Sequence, residues 1–298
     1  MAKRIAMPTI WTSEQLQDDY SSAIERFVSA RLGAGDGFYT EKFAESLELA
    51  KRFMTTTKNL TNLDWEPFLD QPELLEDIGR FIAGPPISAD DFKTIRGFKS
   101  IKKGNASQTR ESMFLIGKKL DSTRFPWVNE SRPPESTEIQ SALVATASLR
   151  AVERTRTEQR ASQKARQEGG VASYLRQLPL QEVDRVLDPD EDMDPGSFKG
   201  GVAFEAKQCD VLVRLFDGRF LALECKSTNS AVNSIKRLND ISDKEKVWKR
   251  ARGAKVVTAG VLAGVFDLGS LEKAQVNDIY LFWEHNLDAL GEFVLSTR

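Results

Sequence analysis

The sequence predicts an α/β (α+β) chain, a mixed sheet flanked by helices and preceded by a largely helical N-terminal half. Three observations predict it. Through about residue 165, apolar side chains recur at helical spacing. Beyond residue 207 they shift to short runs rich in Val and Leu, punctuated by turn residues. A long polar helical stretch then separates the first pair of strands from two more, the alternation of an α/β arrangement. With 298 residues and 40% apolar side chains, the chain can bury one large core or two small ones.

Taken in order, residues 13–32 place Leu16, Tyr20, Ile24, Phe27 and Val28 on one stripe, behind Thr12, Ser13 and Glu14 as a start signal. Residues 41–54 repeat the pattern with Phe43, Leu47, Ala50 and Met54. A third helix, 72–82, ends at Gly84-Pro85-Pro86, and Ser88 with Asp90 and Asp91 caps a fourth. After a Pro-containing polar loop, a long helix runs from about Ser136 to Gln167, where Gly169-Gly170 stops or bends it. Residues 187–201 read as an acidic loop. Residues 208–216 and 219–226 read as a hairpin about Asp217-Gly218, and 230–252 as a basic helix. Strands are expected at 256–265 and 279–283, each followed by a short helix. The organisation expected is a helical region over 1–165 and a sheet-bearing core over 166–298.

Composition narrows the chemistry. Two Cys cannot build a disulfide framework, and with the single His they cannot fill a four-ligand zinc site. Nucleophilic schemes that need a His base are disfavoured, so any catalysis rests on carboxylates, Lys and a hard metal. The opening residues lack the apolar core of about seven residues that a secretory signal carries. The longest apolar run, from Val256 to Phe266, falls well short of the about 20 residues that span a bilayer. A cytoplasmic chain without membrane segments and with reduced Cys209 and Cys225 is expected. The formal charge of −2 hides two basic clusters. One runs from Lys93 to Lys119 and includes Lys102 and Lys103; the other places eight basic residues between Lys236 and Lys255. Such clusters neutralise phosphates, although either one alone is equally an ordinary solvated helix face.

One constellation carries chemistry. Asp210 is followed, with thirteen residues between, by Glu224-Cys225-Lys226. Glu224 and Lys226 are two apart on a strand and share a face, while Leu221, Leu223 and Cys225 share the other. A carboxylate from each of two paired strands can hold one Mg²⁺, and the Lys beside them can orient or deprotonate a water or neutralise a phosphate. The pattern is loose, and Glu205-Ala206-Lys207 is a decoy for it; Glu224 is selected because it alone ends an apolar strand after an Asp-Gly turn. A two-residue turn would pair Val211 with Glu224 and send Asp210 to the opposite face. The site therefore requires an odd-residue connection or a bulge, for instance with Gly218 left-handed. The register expected is Leu212 beside Glu224 and Asp210 beside Lys226.

At these residues the chain resembles the PD-(D/E)XK nuclease superfamily and, more narrowly, the XamI-type restriction endonuclease family. The resemblance runs from about Phe81 to the C-terminus. It rests on Gly84-Pro85-Pro86-Ile87-Ser88 with Asp90-Asp91, on Arg124-Phe125-Pro126-Trp127, and on Asp210 with Glu224-Cys225-Lys226. Further matches are Asn229-Ser230 with Asn233-Ser234-Ile235-Lys236-Arg237-Leu238-Asn239, the run from Ala259 to Phe266, and Leu281-Phe282-Trp283-Glu284-His285. Cys209 stands where superfamily members often carry Pro. The resemblance implies Mg²⁺-dependent cleavage of duplex DNA at a short palindrome, with GTCGAC as the candidate, leaving 5′-phosphate ends. It also implies a homodimer matching the palindrome and a methyltransferase protecting the host's DNA. Asp210 and Glu224 would bind the metal, the Cys225 carbonyl would complete the site, and Lys226 would position the attacking water. A Glu on the helix before the first strand often joins such sites: Glu168 is the candidate and Glu158 its competitor.

Asn229, Ser230, Asn233, Lys236 and Arg237 follow the catalytic strand at helical spacing and are the candidate DNA contacts, with Lys102 and Lys103 from the first basic cluster. Residues 1–165 would serve recognition and dimerisation. Asp188, Asp190, Asp192 and Asp194 alternate as in a calcium loop, but Pro195 and Gly196 depart from the EF-hand spacing, so a solvated loop is the simpler reading. His285 reads as a packing or capping residue. The alternatives are a repair or recombination nuclease of the same fold, or a DNA-binding protein whose Glu-x-Lys is structural.

Overall fold

A computed structural model describes residues 5–33 and 37–298. In chain order the helices are α1 (Ser13–Gly33), α2 (Gly37–Thr56), α3 (Glu73–Asp77), α4 (Ala89–Arg96), α5 (Ala106–Lys118), α6 (Pro126–Asn129), α7 (Ser136–Leu175), α8 (Pro189–Asp192), α9 (Ala231–Arg252), α10 (Leu268–Val276) and α11 (Asp288–Ser296). The strands are β1 (Gln181–Glu182), β2 (Ser197–Phe204), β3 (Lys207–Arg214), β4 (Phe220–Thr228), β5 (Val256–Gly264) and β6 (Ile279–Trp283). The α/β class and the helical N-terminal half are as expected.

The chain forms two compact units, one of Met1–Ala34 with Arg160–Arg298 and the other of Gly35–Gln159. The boundary expected at 165/166 falls inside α7. In the first unit a six-stranded mixed sheet keeps sequence order, β1 to β6. β2, β3 and β4 are antiparallel neighbours, whereas β4, β5 and β6 run parallel. Parallel neighbours need a crossover, and α9 and α10 supply the two. One face buries Leu221, Leu223 and Cys225 against Val171 and Leu175 of α7 and Leu290, Phe293 and Val294 of α11. The other face packs Phe220 and Ala222 against Trp248 of α9, and Leu262 and Leu281 against Leu238, Ile241 and the Leu16 and Ala23 side chains of α1.

The first helix therefore belongs to the sheet unit. Trp11 fixes its approach: its ring N–H donates to the Leu281 carbonyl at 2.7 Å, and its backbone exchanges two hydrogen bonds with the Gln275 amide. The second unit has its own core, built on Phe53, Phe68, Ile78, Phe92, Ile116 and Trp127. Arg150, fully buried there, is satisfied by Asp77, Glu45 and Ser46.

Three local expectations are corrected. α7 does not stop at Gly169-Gly170 but continues to Leu175, because Val171 and Leu175 lock that last turn into the core. The segment read as an acidic loop ends in the first half of β2, a strand whose Phe198, Val202 and Phe204 are buried. Residues 106–118, given no element from sequence, form α5 behind Asn105, whose side chain caps the Gln108 N–H. The decoy Glu205-Ala206-Lys207 lies at the β2–β3 turn, with Glu205 and Ala206 both at positive φ, and Glu205 is paired with Arg252.

Candidate active site

The β3–β4 hairpin sets the geometry. Leu215 and Arg219 close the loop through a 2.8 Å backbone hydrogen bond, leaving Phe216, Asp217 and Gly218 as its tip. Gly218 takes φ +85°, the left-handed conformation that a three-residue hairpin loop requires. The odd connection is therefore present and the face parity is as expected, but the slip runs the other way. Leu212 pairs with Ala222 and Val211 with Leu223, not Leu212 with Glu224. Counting one step on, Asp210 stands opposite Glu224 rather than Lys226. The loop is centred on Asp217, whereas the expected register centres it on Gly218.

Asp210 and Glu224 are thus brought together on one face at the end of the paired segment. Asp210 is almost buried, and its Oδ2 accepts the backbone N–H of Cys225 at 2.9 Å. The side chain replaces a ladder bond where β3 and β4 cease to pair. Lys226 Nζ lies 2.7 Å from Glu224 Oε2 and 3.8 Å from Asp210 Oδ2. Glu224 is 0% exposed. Its Oε2 also receives Lys244 Nζ from α9 at 2.6 Å, whereas Oε1 is buried with no hydrogen-bond partner among the described residues. A sealed carboxylate oxygen without a donor is costly unless something cationic completes it.

α7 lines the same place. Lys164 Nζ is 3.3 Å from Glu168 Oε1 and 3.7 Å from Asp210 Oδ1. Burial, followed by the Asp210 charge, raises the Glu168 carboxyl above its usual range; the Asp210 charge is the first cause holding the Lys164 ammonium up. Between them on the helix, Gln167 is buried and its amide donates to the carbonyls of Val261 at 2.9 Å and Lys226 at 3.4 Å, tying α7 to the ends of β4 and β5. Glu158, the competitor, pairs with Lys42 in the other unit. Burial pushes the Cys225 thiol well above its usual range, and its side chain belongs to the core on the opposite face.

The donors suit a hard cation. Among the described residues no three Asp, Glu, His or Cys side chains gather closely enough to hold a metal alone. Two carboxylates with one orphaned oxygen, supplemented by main chain, match an ion such as Mg²⁺, which keeps several waters of its own. The other expected residues are placed as follows. Asn229, Asn233, Lys236 and Arg237 are exposed at the start of α9, with Asn233 Nδ2 donating to Asn229 Oδ1. Ser230 is the N-cap of that helix, its hydroxyl accepting the Asn233 N–H. Lys102 and Lys103 are exposed in the other unit, and Lys103 lies 3.8 Å from Asp70. His285 Nε2 lies 3.3 Å from Asp19 Oδ1 and its ring packs on Trp283. Asp188 caps α8 and Asp192 accepts two backbone N–H groups, the ordinary loop chemistry expected of them.

Lys164, Gln167 and Lys244 are absent from the sequence reading. Lys164 was reachable, four residues before Glu168 on a predicted helix; Lys244 was hidden among eight basic residues with nothing to single it out.

Comparison with known proteins agrees with the family resemblance. A family model described as "XamI restriction endonuclease" matches residues 58–283. The chain is also 32% identical over 267 residues to the type II restriction enzyme XamI of Xanthomonas campestris pv. amaranthicola, an alignment covering 84% of this chain and 94% of that one.

Proposed function

The chain belongs to the XamI restriction endonuclease family and is a type II site-specific deoxyribonuclease; from the geometry of its carboxylate site we propose that it hydrolyses duplex DNA with Mg²⁺ at a short palindrome. The observation that carries this reading is the meeting of Asp210, Glu224 and Lys226 from two adjoining strands, with Glu224 Oε1 left without a donor. Asp210 and Glu224 would hold the ion, the Cys225 carbonyl would complete the protein's share, and Glu168 would flank it. When bound, Mg²⁺ supplies a Lewis acid for a phosphate oxygen and lowers the pKa of a water.

The side chains do the rest. Lys226, anchored on Glu224, would orient a water for in-line attack on phosphorus. The new bond forms from that water's oxygen to phosphorus, the bond from phosphorus to the 3′ oxygen breaks, and a proton passes to the departing oxygen. The ends are then a 5′-phosphate and a 3′-hydroxyl. Asn229, Ser230, Asn233, Lys236 and Arg237 at the start of α9 would meet the groove or backbone beside the cut, with Lys102 and Lys103 adding phosphate contacts from the helical unit. GTCGAC is the palindrome to try first. A palindrome is read by a two-fold protein, so a homodimer is expected, paired in the cell with a methyltransferase that protects host sites. No described helix is long and apolar enough to cross a membrane, and a cytoplasmic setting suits an enzyme that meets incoming DNA.

Incubating the purified chain and a Glu224→Ala variant with plasmid DNA and Mg²⁺ tests the reading. Discrete fragments that disappear with the variant or with a chelator are expected. Nicking that follows DNA structure rather than sequence, or no Mg²⁺-dependent cutting at all, overturns it.

A further inference from the structure

Glu224 Oε2 is gripped by two ammonium groups, and they are held differently. Among the described residues, the Lys226 ammonium makes its one hydrogen bond to Glu224 and otherwise only faces Asp210 at 3.8 Å. Lys244 is tied at two points, to Glu224 Oε2 and to the Gln208 carbonyl of β3, each at 2.6 Å. Its base is rigid as well: one turn on, Trp248 is fully buried and its ring N–H donates to the Phe204 carbonyl at 2.8 Å, while the Lys244 ammonium lies 6.0 Å from that ring. Lys226 can leave Glu224 for a water or phosphate; Lys244 would have to break two bonds to do so. With Oε2 occupied by the fixed lysine, Oε1 is the oxygen left to face a cation.

We infer that Lys244 is a positioning residue: it clamps Glu224 Oε2 against β3 so that Oε1 alone is offered to the metal, freeing Lys226 for the reacting atoms. The inference rests on the metal-site reading above. Groups that hydrogen-bond a ligating carboxylate typically change metal affinity about 10–100-fold when removed, and that is the effect expected here.

Mn²⁺ binding to the full chain without DNA, followed by electron paramagnetic resonance, reads this directly. Lys244→Met keeps the aliphatic stem and should weaken Mn²⁺ binding about 10–100-fold, whereas Lys226→Met should leave it nearly unchanged. In cleavage assays, raising Mg²⁺ should restore the maximal rate of Lys244→Met but not of Lys226→Met. Lys244→Gln, which retains a donor, carries the same test should the Met variant fail to fold by circular dichroism. Mn²⁺ affinity that is unchanged or tighter in folded Lys244 variants overturns the inference, as does a rate that saturating metal does not restore. If the unmodified chain binds no Mn²⁺ in a manner dependent on Asp210 and Glu224, the metal-site reading fails and this inference with it.

Discussion

The carboxylate of Asp210 accepts the backbone N–H of Cys225 at 2.9 Å, one step beyond the last residue pair of the β3–β4 ladder, Val211 with Leu223. A single aspartate thus does two things: it closes the hairpin where the strands part, and it holds a negative charge beside Glu224. These roles separate under substitution. Asp210→Asn keeps an oxygen to receive the Cys225 N–H and should unfold near the temperature of the unmodified chain. On the proposed metal-site reading, loss of the charge should lower cleavage by more than the about 10–100-fold typical of groups one layer behind a metal. Thermal unfolding and initial cleavage rates check both halves.

Gln167 offers the complementary case, a residue with no charge whose amide secures two carbonyls at the strand ends. Gln167→Leu strands those acceptors inside the protein, at a cost of about 1–3 kcal/mol. Urea unfolding should register that loss. Cleavage should fall too, because the Lys226 backbone and the helix bearing Glu168 lose their tie.

The two thiols should be silent in the native chain. Cys209 is fully buried and Cys225 5% exposed, and burial is the first cause raising both above the usual thiol range. Since the thiolate is the reactive form, neither should titrate with a disulfide reagent at pH 8 until denaturant is added. Rapid labelling without denaturant would contradict the burial of β3 and β4.

Acid should weaken the helical unit in a defined window. The Arg132 guanidinium, hydrogen-bonded to Glu138, holds that carboxyl down at about 2 from an ordinary value of 4.5. A group depressed in the folded state contributes stability above its unfolded pKa and loses it as the folded pKa is approached. The contribution is therefore complete above about pH 4.5 and fades toward pH 2. Comparing unfolding temperatures of the unmodified chain and Glu138→Gln across that range should show the difference between them shrinking as pH falls.

The helical half, the basic helix and the last two strands were legible because their apolar spacing matches the burial they adopt: Leu238 and Ile241 of α9 and the run Val257 to Ala263 are inside, as their pattern implies. Asp210, Glu224 and Lys226 were legible as a group because residue type and strand parity constrain them together, and Glu168 only through the family resemblance. β2 was obscured by its two glycines and by the acidic residues before it. The register was missed by two residues because Asp217-Gly218 marks a turn without fixing which residue stands at its centre. Lys244 was missed for a different reason: its partner is determined by how α9 packs across the sheet, a long-range fact that no local spacing records.

The three-residue tip Phe216–Gly218 lies away from every group assigned a chemical role, yet the alternation of strand faces makes its length an arithmetic condition on activity. Adding or removing one residue there would rotate Asp210 out of reach of Glu224 while altering no functional side chain, whereas a change of two restores the parity. Sequence drift in this hairpin is thus constrained by counting, not by chemistry.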